Sequence, residues 1–145
     1  MPAAEKAGAK ILTIRQPWAW AILHAGKNIE NRSWYTHHRG PLLIASAASI
    51  SLADYERSAR ELAQHYRIKI PPRGQLTCAA ILGMVDLVDC VEEHRSRWFT
   101  GDCYGFVLRN PVPFPKPIPW KGRLGLTPPT PAVRRRLTQL GIKLP

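Results

Sequence analysis

The sequence predicts an α+β fold: a mixed β-barrel of five or six short strands with two or three helices inserted between them. Three observations carry that prediction. Apolar and β-branched runs of strand length recur along the chain, and consecutive runs stand too close for repeated βαβ crossovers. The proline-rich stretch 110–120 admits neither a helix interior nor a central strand. With 145 residues, 45% of them hydrophobic and 21% charged, the chain is apolar enough for one globular domain. Residues 1–10, small and charged, are read as a disordered tail and 11–145 as the domain.

Residues 11–15 form a short strand with three β-branched members, and Pro17 stands where a helix begins. Trp18, Ala21, Ile22 and Ala25 recur at helical spacing, and Gly26 has the position of a helix stop. Trp18 is read as part of the barrel wall. Residues 28–35 alternate with the period of a strand, which puts Glu30, Arg32 and Trp34 on one face. A turn over 36–40 and a buried strand over 41–47 follow. Ser51 caps a helix to about Tyr66, with Leu52, Tyr55, Ala59, Leu62 and Ala63 as its inner stripe. Residues 75–91 are too long for one ordinary strand and predict a bent one, kinked near Gly83. Residues 103–109 form another strand, 110–120 an edge or polyproline-like segment, 121–126 a last strand, and 131–140 a short basic helix.

The formal net charge is +11, an imbalance that costs self-repulsion unless the partner is a polyanion or an anionic surface. Nucleic acid, as single-stranded RNA or DNA, is the expected partner. No basic amphipathic helix with a wide apolar face and no lipidation signal points to a membrane. The first ten residues hold no apolar signal-peptide core, and the longest apolar run, 41–50, is too short to span a bilayer. A cytoplasmic location is expected, or a nuclear one if the source is eukaryotic. Cys78, Cys90 and Cys103 are odd in number and widely spaced, and no cysteine or histidine group has metal-ligand spacing. Reduced, mostly buried cysteines are expected, with no metal and no cofactor.

The chemistry concentrates in residues 16–40. A lysine just past a helix end, Lys27, precedes Glu30 and Arg32 on one strand face, which brings two cations and one anion together. Such a cluster orients a phosphate or ribose while the carboxylate holds the cations or accepts a proton. An ordinary surface ion pair is the competing reading. Trp18, Trp20, Trp34 and Tyr35 lie beside it, as unpaired-base recognition requires, with Trp34 or Tyr35 expected to line the cleft. His37 and His38 point to opposite faces and are read as a solvated turn beside Arg39. Lys27 and Arg32 are expected at the rim of the cleft. Arg134, Arg135 and Arg136 wind around the last helix and supply general attraction only.

Gln16-Pro17-Trp18-Ala19, followed by Gly26-Lys27-Asn28-Ile29-Glu30-Asn31-Arg32-Ser33-Trp34, resembles the signature of the ASCH family. Tyr35-Thr36, His38-Arg39-Gly40, Leu82-Gly83 and Val85-Asp86-Leu87 extend the likeness. The resemblance runs from Leu12 to about Leu126 and implies a PUA-like β-barrel with a cleft that accepts nucleic acid. It also relates Lys121, Gly122 and Arg123 to a basic Lys-Gly segment of the family, where Gly122 lets the backbone approach a ligand. The expected nucleic-acid-binding residues are therefore Lys27, Glu30, Arg32, Trp34, Tyr35, Arg39, Lys121 and Arg123.

Two other function classes compete. Some proteins that resemble this family are amidohydrolases acting on acetylcytidine, with a lysine base three residues before a threonine nucleophile. Lys27 matches the lysine, but Glu30 stands in the threonine's place, a departure from the pattern. A small hydrolase or ribonuclease using Lys27 and Glu30 as catalytic residues is the alternative. An adaptor docking through Pro111 to Pro119 is the third class, although the same prolines also suit an edge that must not aggregate.

Overall fold

The computed structural model describes residues 8–144. Of the expected tail, residues 1–7 lie outside the described residues, and Lys10 already belongs to the first strand. In chain order the elements are β1 (Lys10–Ile14), α1 (Trp18–His24), β2 (Ile29–Arg32), β3 (Gly40–Ser46), α2 (Leu52–Tyr66), β4 (Ala80–Val91), β5 (Tyr104–Pro119), β6 (Leu126–Thr127) and α3 (Pro131–Gln139), with one 3-10 turn at Arg73–Gln75.

One six-stranded sheet runs in the order β2-β5-β4-β3-β1-β6, with β1 parallel to β3 and every other pair antiparallel. The sheet curls into a half-barrel, so the expected α+β barrel class is present with six strands and three α-helices. Alternation along the strands divides the core. Leu12, Ile14, Leu42 and Ile44 pack with α1 residues Ile22 and Leu23, whereas Ile11, Leu43 and Ala45 face Val133 and Leu137 of α3. Burial on both sides explains why every residue of β3 is buried. A third cluster, Ile29, Leu62, Ile70, Trp98 and Val107, seats α2 against β2 and β5.

Several expectations shift in detail. Ser51 caps α2 as expected, its hydroxyl accepting from the Asp54 amide at 3.1 Å. The inner stripe is narrower than predicted: Leu62 is buried, Tyr55 and Ala59 are half-buried, and Leu52 and Ala63 are exposed. Tyr66 replaces them, because 55, 59, 62 and 66 follow the helical repeat more closely than 52 or 63. The proline-rich stretch is the outer half of β5, paired with β4 alone because β2 reaches only as far as Val107. Prolines that lack a donor therefore sit on a sheet edge, where they cost no ladder bond on the open side. The last strand contracts to two residues, leaving Lys121–Gly125 as a loop.

The bend expected at Gly83 is present as a break in register between Ile81 and Gly83. A Cβ at this position would lie 2.6 Å from Leu23 Cδ2 and 2.7 Å from the Val112 carbonyl oxygen. The oxygen is backbone and cannot step aside without moving β5. Gly83→Ala is expected to destabilise the fold by about 1–3 kcal/mol, read as a lowered urea midpoint. An unchanged midpoint would show that β4 and β5 part easily here.

Candidate nucleic-acid interface

The opposite ends of the sheet order, β2 and the β1–β6 side, come face to face where the half-barrel curls round, and side chains span the gap. Gly26, at φ +75°, ends α1 in the left-handed region, and the Lys27 amide donates back to the Ala21 carbonyl at 3.1 Å. That turn sends the Lys27 side chain inward. Its ammonium donates to Glu30 Oε1 at 2.9 Å and to the Ile29 carbonyl. Arg32 Nε donates to Glu30 Oε2 at 3.0 Å, and Arg32 Nη2 reaches the Thr13 carbonyl of β1 at 3.1 Å. Thus Arg32 bridges two strands that share no backbone ladder.

Lys27 is only 5% exposed and Glu30 7%. The expected rim position of Lys27 is therefore corrected: it is a buried cation, neutralised by a buried carboxylate. Arg32 remains half-exposed and contributes the net positive charge of the group. Both Glu30 oxygens are engaged by cations, which makes the carboxylate a brace that fixes the two basic groups.

A cavity of about 700 Å³ opens beside this group. Lys27, Glu30, Arg32, Trp34 and Arg123 line it; Tyr35, Arg39 and Lys121 do not. Trp34 is held edge-on to the buried Phe106, with ring centroids 5.1 Å apart. Tyr35 comes after the strand has ended at Arg32, and its ring instead meets His37 and Tyr104. Arg39 is spent on the same loop: it donates to the carbonyls of Thr36 and His38 and to the Tyr35 hydroxyl. The solvated-turn reading holds for His37, which is exposed, but not for His38, which is buried with Nε2 3.0 Å from the Pro41 oxygen.

The cavity also gathers residues that sequence reasoning did not place there. Trp18, expected in the wall, is half-buried and lines the space, as do Arg15, Glu61, Tyr66 and Trp98. Tyr66 and Trp98 stack in parallel with centroids 4.0 Å apart, and the Arg97 guanidinium lies 5.2 Å from the Trp98 centroid. Burial, together with the neighbouring Glu61 carboxylate, pushes the Tyr66 hydroxyl above its ordinary range, with Arg97 pulling the other way. The phenol thus stays a hydrogen-bond donor at neutral pH. Adjacent Arg97-Trp98 was the available sequence signal; α2 and the β4–β5 loop meet only through the fold.

Thr13 joins the far side. Its hydroxyl accepts from Trp120 Nε1 at 3.2 Å and from the Arg123 amide at 3.4 Å, while its carbonyl takes Arg32. The Arg123 guanidinium lies over Trp120, 5.5 Å from the ring centroid. The cavity is therefore lined by three tryptophans, a tyrosine and the arginines Arg15, Arg32 and Arg123. Glu61 supplies a carboxylate with no ion-pair partner among the described residues. An anion that carries a flat ring suits this lining.

The family model described as ASCH domain matches residues 12–109, which span every element from β1 into β5. The chain belongs to the ASCH domain family. Activating signal cointegrator 1 of Homo sapiens is 30% identical over 126 residues, covering 79% of this chain and 21% of that protein. The Mus musculus protein of the same name is 29% identical over the same span. The ASCH chain thus spans about a fifth of the length of these relatives. The crystal structure of ASCH from Zymomonas mobilis superposes with a TM-score of 0.58 at 14% identity, covering 92% of this chain and 95% of that one. A point mutant of the same bacterial protein gives 0.55 at 15% identity, covering 92% of this chain and 99% of that one. At such identities the likeness establishes the half-barrel fold.

Of the three cysteines, Cys90 is buried, and Cys78 and Cys103 are half-buried. Burial raises the Cys78 thiol above its usual range, against a lowering from Arg73, so it stays protonated at neutral pH.

Proposed function

We propose that this ASCH domain binds single-stranded nucleic acid, RNA in the first instance, by taking an unpaired base into the seam of the half-barrel. The observation that carries this reading is the lining itself: three tryptophans and three arginines on one cavity of about 700 Å³. Arg123 and Arg32 meet phosphate, Trp34 and Trp18 offer ring surface, and Glu61 accepts hydrogen bonds from base amino groups. The association of ASCH domains with RNA binding supports the choice of RNA. The name shared by the human and mouse relatives, activating signal cointegrator 1, supports a role in transcription.

Glu30 acts here as a brace, and its two engaged oxygens favour binding over the hydrolase reading. The test is fluorescence anisotropy with labelled single-stranded RNA and DNA, read alongside quenching of tryptophan emission. Arg123→Ala is expected to weaken binding about tenfold, a typical cost for losing a charge-assisted contact. Lys121→Ala, outside the cavity, should cost less. Equal losses at both positions, without quenching, would mean binding by diffuse charge and would sink the cleft model.

A further inference from the structure

We propose that Leu124 is an apolar wedge that unstacks the base entering the cleft and covers it once seated. The inference rests on the nucleic-acid reading of the cavity and goes beyond it by giving the β5–β6 loop a role in selecting unpaired strands. Leu124 is 98% exposed, the most exposed large apolar side chain of the described residues, and it stands on the cavity lip. A scattered surface leucine needs no explanation, but this one is held outward on both sides.

On the preceding side the loop is fastened to β1. A Cβ on Gly122 would meet Thr13 Cγ2 at 3.0 Å, so the backbone passes closer there than a side chain comfortably allows. Arg123 follows, its amide bonded to Thr13 and its guanidinium over Trp120. On the following side, Gly125 adopts φ +70°, a conformation that turns the chain sharply into β6. Leu124 is thereby left projecting between two anchored points at the lip of the cavity.

The charge around it identifies the occupant. Arg123 is its neighbour in sequence and Arg15 shares the cavity, which disfavours an apolar peptide and favours a polyanion with exposed ring faces. Apolar side chains inserted between base steps unstack them at a modest cost, recovered through the contacts that the opened step permits. Leucine has no hydrogen-bonding group, so this contact discriminates unpaired from paired strands without reading the base.

The experiment uses the full chain and a single-stranded RNA oligonucleotide carrying 2-aminopurine at successive positions, with the matching duplex as control. Wild type should raise the emission of one position as its stack opens and should prefer the single strand. Leu124→Ser should lose that signal and about tenfold in single-strand affinity, with duplex binding and melting temperature unchanged; Leu124→Met should keep both signal and affinity. If wild type binds with Arg123-dependent affinity but Leu124→Ser matches it in affinity and emission, the wedge is wrong and the cleft reading stands. If wild type binds neither strand form, the cleft reading fails and the wedge with it.

Discussion

Replacing Glu30 with alanine is expected to lower the unfolding free energy by about 3–5 kcal/mol, the usual consequence of leaving a buried charge without its partner. Lys27 is 5% exposed, and its ammonium would keep only the Ile29 carbonyl and whatever water entered the space. Arg32 would lose its brace at the same time, keeping the Thr13 carbonyl alone. The effect should therefore appear in both stability and binding, measured by urea denaturation and by anisotropy. The double variant Lys27→Met/Glu30→Leu separates the causes, because replacing a buried ion pair with apolar groups of similar volume is close to neutral. It should recover most of the stability while leaving Arg32 poorly oriented and binding weak. A Glu30→Ala protein as stable as wild type would show that the pair is solvated and contributes little.

The affinity for single-stranded RNA should fall about 50-fold between 50 and 200 mM salt if roughly four phosphates are neutralised, a log–log slope of about −3. Arg15, Arg32 and Arg123 at the cavity would supply three of the contacts, and the fourth is a weaker share from exposed cations outside it, Lys121 among them. The slope of Arg123→Ala should be shallower than wild type by about one phosphate's share, roughly 0.7. Arg134→Ala, on the exposed face of α3, should leave the slope unchanged. A flat dependence for wild type would remove the phosphate premise altogether. A slope lost equally at Arg134 and Arg123 would locate binding on the whole basic surface.

Local chemistry explains which elements were legible in the sequence. The cap at Ser51, the stop at Gly26 and the kink at Gly83 each follow from one residue's backbone or side-chain preference, and each sits where it was expected. The period-two pattern put Glu30 and Arg32 on one strand face, and their shared ion pair confirms that placement. Where local preference is weak, the chain follows its long-range partners instead. Residues 121–126 look extended, but only Leu126 and Thr127 find a partner in β1. Lys121 accordingly lies on a loop outside the cavity. Proximity in sequence groups Tyr35 and Arg39 with the cleft, and the end of β2 at Arg32 turns them into a separate cluster.

The sequence by itself determined the family signature and the Lys27–Glu30–Arg32 constellation, because each depends on residues within a few positions of one another, and the basic character, which is a sum over composition; it narrowed the strands to five or six. Only the tertiary structure decided that Lys27 is buried, that Arg32 bridges to Thr13, and that Tyr66, Trp98, Trp34 and Arg123 share one cavity. Those contacts join segments up to 110 residues apart, as in the Thr13–Arg123 bond. Such pairings depend on how far the sheet curls before its edges meet, a property of the whole packed core that no short window of sequence contains.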